Sequence, residues 1–182
     1  IMCVATSMQS RNLAIQSGLT ITPLDLVNRI NISIDGADEI DPDLNLIKGG
    51  GAAHTLEKLV HSKSDRIVVV ADPSKLVDRL GTRFAVPIEV LGQAASYVER
   101  RLRDMGVGDV TLRMATRKDG PVVTDNGHIV LDALFDFNGR EPAVLEDQLN
   151  LIPGVVANGI FGHCRPHKGD CMIGSPEGLQ RL

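Results

Sequence analysis

Apolar and polar positions in the first part of the chain alternate between two kinds of run. Residues 3–5 (Cys-Val-Ala) read as a strand, and residues 9–17 as a helix stopped by Gly18. A short strand at 20–21, a helix over 23–29 and an apolar strand over 30–34 (Ile30, Ile32, Ile34) follow, and a helix is expected at 52–63. Residues 66–71, Arg-Ile-Val-Val-Val-Ala, form a β-branched run without alternation, the pattern of a parallel strand covered on both faces. Strands alternating with helices predict an open parallel α/β sheet.

The middle of the chain has a different rhythm. Residues 86–90 read as a strand, followed by a helix whose apolar Ala95, Val98, Leu102 and Met105 recur at spacings of three and four. A strand is expected at 110–114 and a turn at Lys118-Asp119-Gly120-Pro121. Asp125-Asn126-Gly127 signals a hairpin between 122–124 and 129–131. A helix over 142–150 ends before Ile152-Pro153-Gly154, and residues 155–161 form a last strand. The order β-α-β-β-α-β is the split ferredoxin-like pattern. Cys171-Met172-Ile173-Gly174 then returns to the first sheet. The expectation is a small α+β module inserted into an α/β domain, with no internal repeat.

Composition narrows the function classes. The 182 residues suffice for one ordinary domain or two small ones, and 23% charged with 43% apolar residues is a globular profile. A net charge of −4 offers no basic stripe for displacing counterions, and no Trp with a single Tyr offers no stacking platform, so nucleic acid is not an expected partner. The longest clean apolar run, 67–71, is far too short to span a bilayer, and no membrane partner is expected. Three cysteines without regular spacing point to reduced thiols and a cytoplasmic setting. His163, Cys164, His167 and Cys171 are four potential zinc ligands, but no C-x2-C pair exists among them, so the segment reads as a polar loop between strands. Ile1 opens the chain inside a strand, which predicts a further segment upstream.

Chemistry concentrates in two neighbouring motifs. Asp35-Gly36-Ala37-Asp38-Glu39 follows the apolar strand, and Lys48-Gly49-Gly50-Gly51-Ala52-Ala53-His54-Thr55-Leu56-Glu57-Lys58 leads into a helix. In an open parallel sheet, ligands bind at the carboxyl ends of strands. Asp38 there reads either as a cap or as a ligand-binding acid. Successive glycines cost chain entropy and are tolerated where backbone approaches a ligand or takes positive φ, and amides at a helix start favour an anion. The spacing fits neither a Walker loop nor a dinucleotide fingerprint, so no nucleotide cofactor is expected. Glu57 lies six residues past Gly51, about 9 Å along the helix and too far in to cap it. Its neighbours Leu56, Leu59 and Val60 suggest part-apolar surroundings that would raise its pKa toward that of a useful base. The alternative is a solvated carboxylate paired with Lys58 or His61. His54 reads as a surface residue or a support behind the site. Lys75 follows the buried strand and either reaches an anion at the same sheet edge or is solvated.

These motifs, with Leu46-Ile47-Lys48, Ala71-Asp72-Pro73-Ser74-Lys75, Pro87-Ile88-Glu89-Val90, Val122-Val123-Thr124-Asp125-Asn126-Gly127 and Ile152-Pro153-Gly154-Val155-Val156, resemble the signatures of ribose-5-phosphate isomerase, type A, in the same order and nearly from end to end. The resemblance implies a Rossmann-like domain (1–84 plus 160–182) carrying a ferredoxin-like lid (85–159). It implies a reaction between ribose 5-phosphate and ribulose 5-phosphate without metal or other cofactor, in a homodimer or homotetramer. By position, Glu57 matches the general base that moves a proton between C1 and C2. Asp35 matches the carboxylate that handles hydroxyl protons and ring opening, and Asp38 a second sugar-contacting acid. Lys48 matches the cation that stabilises the enediolate oxygen. Gly36, Ala37 and the Gly49, Gly50 and Gly51 backbone match the substrate lining, and Lys75 a substrate-binding lysine.

The chain departs from the family in lacking the Gly/Thr/Ser-rich phosphate loop, which the resemblance places before residue 1. A polypeptide of these 182 residues alone is therefore expected to be poorly soluble and nearly inactive. Two other classes remain in view. A sugar-phosphate sensor would need neither Glu57 nor Lys48 and would carry a DNA-binding domain. A coenzyme A transferase would use Glu57 as a nucleophile.

Overall fold

A computed structural model describes residues 1–182. Along the chain come β1 (Met2–Cys3), α1 (Met8–Gln16), β2 (Thr20–Ile21), β3 (Ser33–Asp35), β4 (Glu39–Ile40), β5 (Leu46–Ile47), α2 (His54–Ser62) and β6 (Ile67–Ala71). Then follow β7 (Val86–Val90), α3 (Ala95–Asp104), β8 (Asp109–Leu112), β9 (Ile129–Leu134), α4 (Pro142–Asn150), β10 (Val155–Asn158), β11 (Ile160–Phe161), β12 (Cys171–Ser175) and β13 (Gly178–Arg181). The helix expected over 23–29 is only a 3-10 turn at Leu24–Leu26, because β-branched Val27 takes an extended conformation.

Four strands form a mixed sheet in the order β13-β12-β6-β3, in which β3, β6 and β12 run parallel and β13 adds an antiparallel edge. The return of residues 171–174 to the first sheet is this β12 pairing. Val68 and Val69 of β6 are buried, but Val70 is half exposed, contrary to a strand covered throughout. The reason is register: β3 stops at Asp35 opposite Val69, so Val70 has a strand neighbour on one side only.

The second half forms an antiparallel sheet in the order β10-β7-β9-β8, with α3 and α4 connecting its strands as the β-α-β-β-α-β pattern requires. Its core is the larger one: 18 buried residues, among them Val98 and Leu102 of α3 and Leu145 and Leu149 of α4, against seven around Ile40, Leu46, Val69 and Phe161. The hairpin turn forms, with the Thr124 amide donating to the His128 carbonyl at 2.8 Å and Gly127 at φ +82. Residues 122–124 nevertheless make only a single bridge, Val123 to Ile129, because β9 already has β7 and β8 on its two sides.

The strand expected over 155–161 divides at Gly159. β10 pairs with β7, whereas β11 pairs with β5 in a small antiparallel sheet, β11-β5-β4. Only glycine fits at this junction, since a Cβ there would stand 2.3 Å from the Lys48 carbonyl oxygen and 2.6 Å from Pro87 Cδ. The Gly159 carbonyl accepts from the Lys48 amide at 2.9 Å, and its amide donates to the Pro87 carbonyl at 2.7 Å. The crossover thus fixes the backbone of Lys48. Glu39, buried beside it, accepts from the amides of Gly81, Arg83 and Phe84 at 2.5–2.8 Å and ties the approach to β7 onto β4.

Candidate active site

Asp35 closes β3 at the carboxyl edge of the mixed sheet, and Lys48 follows β5 directly. Lys48 is 2% exposed, and its ammonium donates to the Gly36 carbonyl at 2.5 Å. It pairs with Asp35 Oδ2 at 3.0 Å and with Glu57 Oε2 at 3.2 Å. Glu57 and His61 lie one turn apart on α2, so both face this ammonium from the same side of the helix. Asp35, Lys48 and Glu57 therefore form one cluster, assembled from two strand ends and a helix.

The glycine segment is held from both sides. The Gly50 amide donates to Asp38 Oδ2 at 2.8 Å, and a Cβ on Gly50 would stand 2.8 Å from Asp38 Oδ1. Asp38 is thus the anchor of the loop, and the Gly50 amide is already engaged. Arg113 donates from one guanidinium nitrogen to the carbonyls of Gly49 (2.8 Å) and Gly50 (3.1 Å), while Asp132 grips the other side of the guanidinium, with Nε to Oδ2 at 2.8 Å. Gly49 (φ +108) and Ala52 (φ +59) take left-handed conformations, and α2 starts without a side-chain cap. Gly51 is exposed, with nothing near its missing side chain. The segment offers backbone to a ligand at a helix start.

The two carboxylates are tuned apart. Burial alone would raise Asp35, but His61, the Lys48 charge and the Gly36 amide together hold it below the usual carboxylate range. Burial raises Glu57, the Asp35 charge adds to the rise, and Lys48 opposes it only in part. A carboxylate that is kept ionised beside one that takes protons more readily is an acid–base arrangement. A buried ammonium between them can stabilise a developing oxyanion.

Other residues depart from expectation. Of the three apolar neighbours expected around Glu57, Val60 is buried and Leu56 half-buried, whereas Leu59 is 46% exposed; burial raises Glu57 as expected, although it also faces the Lys48–Asp35 cluster. Lys58 does not pair with Glu57 but turns to Glu146 Oε1 (2.5 Å) and the Ile160 carbonyl (2.6 Å). His54 is fully buried with neither ring nitrogen hydrogen-bonded, lodged where Gly49 lacks a side chain; a Cβ on Gly49 would lie 2.6 Å from its Nδ1. Burial lowers its pKa to about 4. Lys75 sits in a 3-10 turn after β6, half-buried, and makes no ion pair or hydrogen bond with the cluster. In the 162–170 loop, His163 Nε2 meets Asp147 at 3.0 Å and Arg165 donates to Asn45 and to the Asp43 carbonyl. Burial raises the Cys164 thiol.

Sequence reasoning gave no site role to His61, which it weighed only as a surface partner of Glu57, to Glu89, or to Arg113 and Glu146. The one available signal was the four-residue step from Glu57 to His61. Glu89 is fully buried in β7 and accepts from Thr124 (2.7 Å), Asn126 (3.1 Å) and Thr55 of α2, which joins the second sheet to the helix that carries Glu57.

Residues 2–178 match the family model for ribose 5-phosphate isomerase A (phosphoriboisomerase A). Ribose-5-phosphate isomerase A of Synechococcus sp. (strain WH7803) is 52% identical over 158 residues, which is 87% of this chain and 66% of that protein. The Methanothermobacter thermautotrophicus protein of the same name is 50% identical over 183 residues, covering 100% of this chain and 77% of the relative. The ribose 5-phosphate isomerase A structure from Methanocaldococcus jannaschii superposes with a TM-score of 0.91 at 40% identity over 98% of this chain and 76% of that one. A D-ribose-5-phosphate isomerase in complex with phospho-erythronic acid gives 0.93 at 42% identity, over 100% of this chain and 77% of that one. The chain thus spans about two thirds to three quarters of the length of these relatives. It belongs to the ribose 5-phosphate isomerase A family, which interconverts ribose 5-phosphate and ribulose 5-phosphate.

Proposed function

We propose that the protein is an aldose–ketose isomerase that converts ribose 5-phosphate to ribulose 5-phosphate by proton transfer through an enediolate. The observation that carries this reading is the single buried ammonium of Lys48 set between Asp35 and Glu57. In the open-chain aldose, Glu57 takes the C2 proton and the C2–H electron pair forms the C1–C2 double bond. The carbonyl pair moves onto O1, where Lys48 faces the new negative charge. O1 then gains a proton, the O2 hydroxyl loses one, and Glu57, whose proton exchanges with solvent during the life of the enediolate, delivers a proton to C1. Asp35, kept ionised, accepts hydroxyl protons and assists opening of the ring. Gly36, Ala37, Asp38 and the Gly49–Gly51 backbone line the sugar, with Asp38 acting through the loop it anchors. Lys75, at the same sheet edge, meets the substrate's anionic end. The 85–159 module serves as the lid, with 1–84 and 160–182 as the catalytic domain.

The relative bound to phospho-erythronic acid, a phosphorylated sugar acid, supports the substrate class. No metal enters this reading, because Lys48 already occupies the place beside both carboxylates where a cation would act. A homodimer or homotetramer and a cytoplasmic setting rest on the resemblance and on three free thiols. The test is turnover of ribose 5-phosphate by the full-length gene product in D2O. Solvent deuterium at C1 of the ribulose 5-phosphate, with activity unaffected by a chelator, is the expected result. No turnover, complete retention of the substrate hydrogen, or activity abolished by a chelator and restored by a divalent metal would overturn it.

A further inference from the structure

Two carboxylates and one lysine leave the Asp35–Lys48–Glu57 cluster one positive charge short of neutrality. The three side chains are 25%, 3% and 14% exposed, and an uncompensated charge in such a place is costly. His61 stands where the missing charge is needed. Its side chain is 1% exposed, and its Nε2 lies 3.7 Å from Asp35 Oδ2, the oxygen that Lys48 also approaches. The ring is held edge-on against Phe161, with centroids 5.4 Å apart and planes at 71°.

The tautomer follows from the other nitrogen. Nδ1 is 3.3 Å from the Cys164 carbonyl oxygen, which can only accept, so Nδ1 carries a hydrogen. In a neutral ring, Nε2 would then turn a lone pair toward a carboxylate oxygen. Nε2 has no hydrogen-bond partner, and Asp35 Oδ2 faces it at 3.7 Å. Two acceptors face to face, the imidazole one fully buried, are resolved by one proton between them. The charged groups that face the ring are Asp35 from β3 and Glu57 on α2 itself, and the Cys164 carbonyl meets it from the loop after β11. Asp35 is the carboxylate paired with it.

We infer that His61 supplies the second positive charge of the catalytic cluster, forming an ion pair through Nε2–H with Asp35 Oδ2 and acting as the positioning residue that keeps this carboxylate ionised and in one rotamer. The contact is also the leading influence that offsets the burial of Asp35. At 3.7 Å the contact is an ion pair rather than a hydrogen bond. The inference rests on the isomerase reading, since it assigns Asp35 the hydroxyl protons.

Two measurements test it in the full-length protein. In nitrogen-15 NMR, which needs no turnover, both ring nitrogens of His61 should carry hydrogen at neutral pH. The Nε2 signal should lose its proton in Asp35→Asn. In kinetics, His61→Leu should lower kcat by roughly tenfold or more, with KM nearly unchanged, as expected for loss of a charge that orients a reacting group. The same variant should move the acid limb of the kcat profile to higher pH, because the Glu57 base loses a neighbouring positive charge that lowers its pKa. His61→Gln, which can still donate to Oδ2, should recover much of the rate. A neutral Nδ1–H ring in the wild type, or a folded His61→Leu enzyme with wild-type kcat and pH profile, would overturn the inference. Equal losses in the Leu and Gln variants with an unmoved profile would reduce His61 to packing. A wild type without isomerase activity would sink the functional reading alone, and the NMR result would still decide the charge.

Discussion

Glu57 Oε2 stands 3.2 Å from the Lys48 ammonium, and Asp35 Oδ2 stands 3.0 Å from the same nitrogen, yet the two carboxylates are shifted in opposite directions. The difference lies in what else each one touches. Asp35 has the Gly36 amide at 2.8 Å and His61 at 3.7 Å, whereas Glu57 Oε2 has no hydrogen-bond partner beyond the ion pair. If Glu57 is the base, Glu57→Gln should lower kcat by roughly 10²-fold or more with little change in KM or folding. The base must be ionised to act, so activity should fall as pH drops through its folded pKa. Because that pKa is raised, the acid limb should lie above the ordinary carboxylate range. Near-normal kcat in the Gln variant would return Glu57 to a structural carboxylate.

The Arg113–Asp132 pair predicts an effect of the second sheet on the first motif. Arg113 is 64 residues from Gly49 in sequence but bonds its carbonyl at 2.8 Å. Replacing it with Met frees the Gly49 and Gly50 carbonyls and strands Asp132, which is 22% exposed and can be reached by water. The larger consequence should be for the loop. If the glycine backbone lines the substrate, Arg113→Met should raise KM by roughly tenfold or more as that backbone loses its fixed position, with a smaller change in kcat. Wild-type KM in a folded variant would show that Asp38 alone fixes the loop.

What the sequence revealed and what it hid have physical reasons. Asp35, Lys48 and Glu57 were legible because strand end, glycines and helix follow one another locally, so the chemistry is written within one stretch of chain. The order of the antiparallel sheet was legible from β-α-β-β-α-β for the same reason. The segment 122–124 misled because the hairpin signal is local, whereas strand pairing depends on whether β9 has a free edge, and it has none. His54 and His61 were hidden because polar residues on a short helix read as its outer face. Here α2 is enclosed by Gly49 on one side and Phe161 on another, and both histidines are buried. Arg113, Glu89 and Glu146 act across long sequence separations, which no spacing rule reaches.

Lys58 predicts a stability effect separate from catalysis. It is half-buried, and burial lowers its pKa although Glu146 opposes the shift. Glu146 is 2% exposed and also accepts from the Gly162 and His163 amides at 2.8 and 3.1 Å. Lys58→Met would leave this carboxylate buried without its cation, at a cost of about 3–5 kcal/mol. The double variant Lys58→Met with Glu146→Gln should recover part of that loss, since the charge goes and amide acceptance remains. Denaturant unfolding of both variants measures the difference, and equal stabilities would mean that Glu146 is already compensated by the two amides.

His54 predicts how stability responds to pH. Its ring is fully buried without a hydrogen-bond partner on either nitrogen, and burial lowers its pKa from 6.5 to about 4. The unfolded chain therefore binds a proton below pH 6.5 that the folded chain refuses until about pH 4. The sign is fixed by this order: the neutral ring contributes full stability above the unfolded value, and the contribution is lost progressively as pH falls across that window. Each pH unit in the window is worth about 1.4 kcal/mol, so the whole shift amounts to about 3 kcal/mol. His54→Leu keeps an apolar group of similar bulk over Gly49 and removes the titration. Its advantage over the wild type should be small or absent at pH 7 and should grow steadily toward pH 4, as measured by denaturant unfolding at matched ionic strength. Comparing the two proteins cancels the other titrating groups, which both carry. A stability difference that stays constant between pH 7 and pH 4 would mean that the ring accepts a proton in the folded state, and the buried cavity beside Gly49 would have to open to admit it.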